Sequence, residues 1–452
     1  MEKFLFRNVK IWLVLFLLVL GMIGSVLFSS LVVHRMQGGN KLPGLSGMAL
    51  EVARFPITVV NLIGGEQKID MHEMTDRFQG EPGGFSFFEG ASERHYVLLS
   101  RYDGDIGASV VELIREGEAE VLHRWVFDDA DALAFDSQNP FIIQPNQSQS
   151  NTRRIVHPWL TEDGSLYAHS HFGAMYLFGH CGEVDWVNAE FQYHHSLERA
   201  ADGTYWSVGT TTPDIQGQGL DSTFRDNRAI QLSPEGEVLF DKSVMEILEK
   251  AGLLNLTYDY DTYQRDPIHL NDIQPVYTDG NVAKRGDLYL SLGHLNMAML
   301  YRPSTDELVW WTQDYMMHQH DIDIIGPDTI QLFDNRRKTG PDGQPMTISN
   351  NEMLRFDLPN RTGKPFMTEQ MASLDVKTQN QGLADVIEGS GIMMEDTNAG
   401  RLVKFNDTGE LDWTYLNRSN NGRVWTLNWS RYLPKDVGDQ ALEALRISQC
   451  KN

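Results

Sequence analysis

Hydrophobic residues first form one long run and then give way to short alternating stretches. Residues 11–33 include no charged residue. A helix of that length rises about 34 Å at about 1.5 Å per residue, enough to cross a hydrocarbon core of about 30 Å. Lys3, Arg7 and Lys10 precede the run, which favours a cytoplasmic N-terminus. The pattern predicts one transmembrane helix that holds the rest of the chain outside the cytoplasm.

A cleaved signal peptide is the alternative interpretation of this run. Its apolar core would be roughly 7–15 residues long and would end at an A-x-A site, and neither feature is present here. An uncleaved anchor is therefore favoured, and the bulk of the chain is exported in either case. We divide the sequence into a cytoplasmic N-terminus (1–10), an anchor (11–33), a Gly-rich linker (34–50) and one large domain (51–452).

Alternating apolar and polar positions dominate the large domain. Pairs of such stretches flank short turns with Gly or Asp, a pattern typical of β-hairpins. These pairs occur at residues 109–127, 174–188, 228–243, 297–313 and 400–417. Further short strands accompany several of them, so the repeated unit has about four strands. Helical patterns are scarce, and the clearest lies at 241–253.

Units of four short strands are typical of a β-propeller. Five hairpins and one less distinct unit predict six blades. A β-helix and a pair of β-sandwiches are the alternatives, but the period is too long for β-helix coils and the repeats are too alike for unrelated sandwiches. The predicted fold is thus all-β, a six-bladed β-propeller preceded by one N-terminal transmembrane helix.

The net charge and the cysteine content limit the functions that the chain could have. The net charge of -24 argues against nucleic-acid binding, which needs a basic face. It also repels anionic ligands at long range, so an anionic substrate would require a local cluster of Arg, Lys or His. Cys181 and Cys450 could pair in an oxidising compartment, but two thiols do not define a framework, and the sequence leaves their pairing open.

Histidines recur where the strand units join. They are His194, His195, His269, His294, His318 and His320. Equivalent positions in different blades converge on the axis of a propeller, so we expect these side chains to form one cluster. A lone histidine is more often structural, but three of them, His195, His269 and His320, each open a strand unit. Three histidines could also bind Zn or Mn, although no tight spacing such as H-E-x-x-H supports a metal site.

Four segments carry a resemblance to a known family. Residues 194–209, 269–273, 319–335 and 400–415 resemble the arylsulfotransferases, six-bladed propellers of the bacterial periplasm, and the likeness extends from about 150 to 435. The most specific piece is Q-H-D at 319–321, followed by a strand and F-D-N at 333–335. The resemblance implies an inner-membrane anchor with the main domain in the periplasm.

The resemblance also implies a reaction. Family members move a sulfuryl group from an aryl sulfate to a phenol or another hydroxyl compound, without a cofactor, a metal or a nucleotide donor. The position that becomes sulfated matches His320. His195, His269 and Asn271 match the supporting positions, with His195 preferred to His194 because it directly precedes the strand unit. A neutral imidazole is a good nucleophile near pH 7, and covalent transfer divides one barrier into two.

One position departs from the family pattern. The family has an Arg in a segment like S-S-R-H, whereas this chain has Gly293 in Ser291-Leu292-Gly293-His294. A site that holds an anion thereby loses a fixed cation. We expect His294 or Arg336 to substitute, and with Asn335 they complete the predicted substrate-binding residues.

Two other functions stay open. A membrane-tethered propeller that acts as a non-catalytic binding or assembly module fits the anchor and the missing Arg, but gives no reason for the three histidines. A metal-dependent lyase or hydrolase is possible on the same fold. The sequence does not identify the natural donor, the acceptor or the oligomeric state.

Overall fold

The computed structural model describes residues 10–36, 44–46, 48–49, 52–53, 72–88, 95–127, 154–211, 224–258, 263–340 and 345–447. The chain divides into two compact units, residues 1–70 and 71–452. Cys181 is disulfide-bonded, while Cys450 lies outside the described residues. So do residues 1–9, predicted to be cytoplasmic, and most of the predicted linker.

The first unit contains the helix α1, Ile11–Met36. Its apolar side chains are exposed along most of its length, and the polar Oγ atoms of Ser25 and Ser30 donate to the carbonyls of Gly21 and Val26. These bonds satisfy polar groups within the helix, as a hydrocarbon environment requires. The segment Ile11–His34 is long and apolar enough to span a membrane, and a signal sequence would have the same features.

The second unit is built from antiparallel sheets in a propeller-like arrangement, which confirms the predicted all-β class. Four of the sheets are blades of four or five strands. The first is β28 (Arg431–Leu433), β3 (Tyr96–Asp103), β4 (Ala108–Arg115) and β5 (Val121–Val126); the second is β13 (Leu270–Pro275), β14 (Leu288–Leu292), β15 (Met297–Arg302) and β16 (Glu307–Thr312). The third is β17 (Gln319–Gly326), β18 (Thr329–Asp334), β21 (Glu352–Asp357) and β22 (Thr362–Phe366); the fourth is β23 (Leu383–Ile387), β24 (Gly391–Asp396), β25 (Arg401–Phe405), β26 (Leu411–Leu416) and β2 (Gly84–Phe87).

Besides these four blades, the second unit has one sheet of seven strands. Its strands are β6 (Ile155–Leu160), β7 (Leu166–Ser170), β8 (Gly173–Phe178), β9 (Val184–Arg199), β10 (Tyr205–Thr211), β11 (Asp226–Leu232) and β12 (Val238–Ser243). The strand β9 is 16 residues long. Residues 184–193 of this strand pair with β8, and residues 192–199 pair with β10. One long strand thus belongs to two neighbouring hairpins.

Short elements decorate the sheets. Two-stranded ladders join β1 (Glu73–Met74) to β27 (Val424–Trp425) and β19 (Arg337–Thr339) to β20 (Pro345–Thr347). The helices are α2 (Val244–Lys250), α3 (Thr368–Ser373) and α4 (Lys435–Ile447), with 3-10 turns at Leu254–Thr257, Gly293–Leu295 and Thr397–Ala399. All five predicted hairpins are present, as β4–β5, β8–β9, β11–β12, β15–β16 and β25–β26.

The two ends of the second unit meet within one sheet. Arg431 in β28 pairs with Leu98 in β3, although 333 residues separate them in the chain. In the neighbouring blade, β2 adds to the edge of β26. Large aromatic side chains, among them Trp125, Trp413 and Trp429, are fully buried between the sheets. Pairing the chain ends in this way removes exposed sheet edges, which a ring of blades must avoid.

Buried side chains link the first strand of one sheet to the first strand of the next. The carboxylate of Asp272 accepts the Ile322 N–H at 2.6 Å, and that of Asp321 accepts the Ala384 N–H at 2.6 Å. The carboxylate of Asp385 accepts the Tyr432 N–H at 2.8 Å. Burial raises the pKa of Asp272 and Asp385 to about 6, and that of Asp321 well above its usual value. These carboxyls therefore take up a proton at a higher pH than ordinary carboxyls do.

Asp385→Asn should make stability less sensitive to pH. Because its folded pKa is raised, the Asp385 carboxyl contributes stability that is complete below the unfolded pKa of about 3.9 and is lost as the pH rises through about 6. An amide oxygen can still accept the Tyr432 N–H. As the pH rises from 5 to 8, we expect the free energy of unfolding of the variant to increase by about 1–3 kcal/mol relative to that of the parent. Denaturant unfolding measures this difference. Asp407→Asn, at an exposed position, is the control. A difference between Asp385→Asn and the parent that stays constant with pH would refute this prediction.

Candidate active site

Histidines from different sheets meet at one end of the second unit. The ring centroid of His195 lies 5.1 Å from that of His269 and 5.5 Å from that of His320, and the last two are 6.5 Å apart. His195 and His320 are almost completely buried. His171, His194, His294 and His318 adjoin the three rings. The predicted convergence of scattered histidines is therefore present.

The main chain itself directs these rings. His195 and His269 have positive φ angles of 61° and 50°, a conformation that non-glycine residues seldom adopt. The residue after three of the predicted site residues binds the neighbouring sheet: Ser196 Oγ donates to the carbonyl of Ile273, and the Asp272 and Asp321 carboxylates accept main-chain N–H groups. Because each anchor is joined to its site residue by one planar peptide, these bonds restrain the main chain at His195, Asn271 and His320.

A fixed hydrogen-bond network determines the tautomer of His320. The Asn335 amide nitrogen donates to the carbonyls of Thr378 and Gln381, at 3.1 and 2.6 Å. Its oxygen must then be the acceptor that lies 2.6 Å from Nδ1 of His320, so Nδ1 carries the proton. Nε2 keeps its lone pair and faces the main-chain N–H of Gln381 at 3.3 Å.

His269 is paired with a carboxylate that sequence inspection missed. Its Nδ1 lies 2.8 Å from Asp266 Oδ2, and Asp266 Oδ1 accepts the Asn227 amide at 2.8 Å. Burial alone would raise the pKa of Asp266, but the neighbouring His269 holds it well below its usual value. The carboxylate is therefore ionised and accepts a hydrogen bond from Nδ1–H of His269. The spacing D-P-I-H was the available signal.

His194 and His195 contact each other, and both rings adjoin that of His269. Their Nδ1 atoms are 2.6 Å apart, and Nε2 of His194 is buried with no partner among the described residues. An orphaned acceptor costs less than an orphaned N–H, so His194 donates from Nδ1 and His195 carries its proton on Nε2. His195 can thus donate a hydrogen bond into the site, as a supporting group for an anion should.

Burial keeps the rings neutral. It lowers the pKa of His320 to about 3, with the nearby His269 adding to the effect and the bond to Asn335 opposing it. Burial also lowers the pKa of His195 and His194 well below the usual value. At neutral pH His320 is an uncharged imidazole whose Nε2 can act as a nucleophile.

A cavity of about 610 Å³ opens beside the cluster. His294, His318, Gly293 and Arg337 line one side of it. The ring of His294 stacks on that of His269 with centroids 4.4 Å apart, and Arg337 donates to His318 Nε2 at 2.9 Å. Apolar or aromatic groups come from Leu256, Tyr258, Pro267 and Leu295. The cavity can hold an aromatic ring next to the histidines.

The remaining predicted residues occupy different places. Asn335 orients His320 through the bond described above. Arg336 forms an ion pair with Glu352, Nη1 to Oε1 at 2.6 Å, and contacts none of the histidines in the described part of the chain. Of the two predicted substitutes for the family Arg, His294 adjoins the cluster and Arg336 is engaged elsewhere.

The packing around position 293 also explains why this residue is a glycine. A Cβ atom built there would lie 2.6 Å from Nδ2 of Asn271, the atom that donates to the Gln319 carbonyl at 2.7 Å. Asn271 thus occupies the space that a side chain at position 293 would need, and it anchors the main chain one residue before His320.

The histidines could also hold a metal ion. One ring nitrogen from each of His195, His269 and His320 lies within 4.8 Å of the others, and Asp266, His269 and His294 form a second such group. Imidazole nitrogens held by hydrogen bonds at their other ring atom suit Zn. The proton on Nε2 of His195 does not fit this use, because a ligand nitrogen must offer its lone pair.

The chain is similar to one known protein family. A model of the arylsulfotransferase (ASST) family matches residues 171–418, a little more than half of the chain. No curated protein matches the sequence.

Several solved structures share parts of the arrangement at low identity. A protein of unknown function from Bacteroides caccae has 8% identity and a TM-score of 0.46, and the match covers 76% of this chain and 99% of that one. The Pan2 WD40 domain of Neurospora crassa has 8% identity and a TM-score of 0.39, with 74% and 86% covered. Virginiamycin B lyase from Staphylococcus aureus has 11% identity and a TM-score of 0.33, with 61% and 73% covered. None of these three reaches a TM-score of 0.5, so they do not bear on function.

Gly293→Ala should destabilise the site. The added Cβ displaces the Asn271 amide and breaks its bond to Gln319, at an expected cost of about 1–3 kcal/mol in the free energy of unfolding. Thermal unfolding of the full chain measures this. Gly326→Ala is the matched control, since its Cβ would meet nothing nearer than 3.5 Å. Equal stability of the two variants would show that position 293 accepts a side chain.

Proposed function

Because the chain belongs to the arylsulfotransferase family, we propose that it transfers a sulfuryl group from an aryl sulfate ester to a phenolic or other hydroxyl acceptor through a sulfo-histidine at His320. The observation that carries this proposal is the tautomer of His320. Asn335 holds the proton on Nδ1, so Nε2 of a neutral ring keeps its lone pair. That lone pair, which accepts the Gln381 N–H at 3.3 Å in the free protein, is the nucleophile.

The first half-reaction forms one bond and breaks one. Nε2 of His320 attacks sulfur, and the bond from sulfur to the aryl oxygen breaks with its electron pair on that oxygen. The ring then bears a positive charge, which Asn335 Oδ1 stabilises at Nδ1–H. His195 Nε2–H donates to the sulfuryl oxygens, where negative charge is concentrated.

The second half-reaction returns His320 to its starting state. The acceptor hydroxyl attacks sulfur and passes its proton to Nε2 of His269, while the bond between sulfur and His320 Nε2 breaks with its electron pair on nitrogen. The Asp266 carboxylate, 2.8 Å from Nδ1, stabilises the imidazolium that forms. The adjoining cavity of about 610 Å³ takes the aromatic part of donor or acceptor.

Architecture and location complete the proposal. If the seven-stranded sheet counts as two blades that share β9, the four other blades make six. The apolar helix α1 would be a single-pass anchor in the inner membrane, with the propeller in the periplasm. The second candidate function is metal-dependent chemistry, which the nitrogen separations within 4.8 Å favour; a non-catalytic binding module is the third.

His320→Gln should abolish transfer from 4-nitrophenyl sulfate to phenol. We expect the rate with the full chain in detergent to fall by at least about 10³-fold, since the nucleophile is lost. The parent should carry one sulfuryl group on the His320 peptide by mass spectrometry after reaction with donor alone. His180→Gln, whose ring binds the Asp163 carbonyl outside the cluster, is the control.

Other outcomes separate the alternatives. Inactivity of the parent together with a stoichiometric metal by elemental analysis would replace this proposal with metal-dependent chemistry. Inactivity without metal would favour a binding module. Activity that survives in His320→Gln would rule out His320 as the nucleophile.

A further inference from the structure

A sulfuryl group needs positive charge near His320, and the expected sources do not supply it directly. Position 293 is a glycine, and Arg336 is paired with Glu352. Arg225 lies 3.9 Å from the Asp266 carboxylate and over the ring of Phe172. Arg337 acts on His320 electrostatically, and its Nη1 is bound to His318 and Asn380. A second cation close to His320 comes from another segment. The inference below rests on the proposed function, since it concerns the same site.

Arg154 enters the site from the segment before β6. Its Nε donates to Asn428 Oδ1 at 2.8 Å, and its Nη2 donates to Gln381 Oε1 at 2.5 Å and to the Leu427 carbonyl at 3.1 Å. The main-chain N–H of Gln381 faces His320 Nε2 at 3.3 Å. One residue therefore contacts both the guanidinium and the proposed nucleophile.

The partners of Arg154 are neutral. No carboxylate in the described ranges forms an ion pair with it, and burial lowers its pKa to about 10, which leaves it charged at neutral pH. The carboxylate that acts on it electrostatically is Glu395. Both Glu395 oxygens already accept main-chain N–H groups, from Trp429 at 2.9 Å and Ser430 at 2.7 Å. A partly buried guanidinium held by amides and carbonyls has the electrostatics of an anion site.

Two buried donors beside Arg154 lack an acceptor. Asn428 Nδ2 and Trp429 Nε1 have no hydrogen-bond partner in the described part of the chain, and both residues are 0% exposed. The Trp429 ring lies edge-on to His195 and His320, with centroids 5.7 and 6.1 Å away. Unpaired buried donors are costly, and a sulfuryl oxygen would satisfy them.

We propose that Arg154, Asn428 and Trp429 form an anion cradle that binds the sulfuryl oxygens in place of the Arg absent at position 293. All three residues lie outside the family match at 171–418. The cradle comes from the two segments that flank the closure of the propeller, residue 154 before β6 and residues 428–429 before β28.

The neighbouring carboxylate fixes the geometry of the cradle. Trp429 has a positive φ of 62°, and the two N–H bonds to Glu395 hold that conformation. The amide oxygen of Asn428 is occupied by Arg154 Nε, so its Nδ2 is directed elsewhere. Arg154 thus offers one charge, and Asn428 and Trp429 offer two donors that lack an acceptor among the described residues, as a site for developing charge requires.

Binding experiments on His320→Gln, which cannot turn over, test the cradle. We expect Arg154→Lys to weaken binding of 4-nitrophenyl sulfate by about 10–100-fold, the loss typical of charge-assisted hydrogen bonds, measured by calorimetry. Asn428→Asp, similar in size, should do the same because it gives Arg154 an internal counter-charge. Binding of uncharged 4-nitrophenyl methyl ether should not change. Arg446→Ala, an exposed arginine near Glu443, is the control.

A turnover experiment adds a readout that altered folding alone would not produce. With His320 intact, Arg154→Ala should regain part of its lost kcat/KM when guanidinium ion is added at non-denaturing concentration. Unchanged sulfate-ester affinity in both Arg154→Lys and Asn428→Asp would overturn the cradle even if the parent transfers sulfuryl groups. If the parent fails to transfer but its sulfate-ester affinity depends on Arg154, the cradle stands and the proposed reaction falls.

Discussion

Hydrogen bonds from buried side chains to the main chain of the neighbouring sheet hold the site together. Ser196, Asp272 and Asp321 each bind the next sheet, and each directly follows a residue of the site. Because each anchor is joined to its site residue by one planar peptide, anchoring one restrains the other. Loss of an anchor would therefore disturb both the packing of the sheets and the convergence of the histidines, which couples the stability of the fold to the geometry of the site.

The same burial that holds the sheets together sets the chemistry. It favours neutral forms, so the acids near the axis hold their protons to higher pH and His320 stays uncharged far below neutral pH. The site thus combines an uncharged nucleophile with the guanidinium groups of Arg154 and Arg337. These charges can receive an anion that the chain, with its net charge of -24, repels at long range.

At position 293 this chain has a glycine where the family pattern has an Arg, and we propose that another segment provides the positive charge. Here glycine makes room for the Asn271 amide, which supports the main chain next to His320. A side chain at 293 and the present position of Asn271 exclude one another. In the proposed arrangement the cation comes from Arg154 instead, on the segment that precedes β6, and its neighbours Gln381 and Asn428 are polar but uncharged.

Local pattern alone determined the apolar helix and the five hairpins, because period and turn chemistry depend on residues close in sequence. It did not place His195, which lies inside the 16-residue strand β9 and does not open a strand. The sequence did not disclose the carboxylate partner of His269, the bond that turns Arg336 to Glu352, or the role of Asn335 beneath His320. It also offered no signal for Arg154, Asn428 and Trp429. These contacts depend on which segments meet around the axis, where residues hundreds of positions apart become neighbours. Only the tertiary structure determines which of these neighbours form hydrogen bonds with one another.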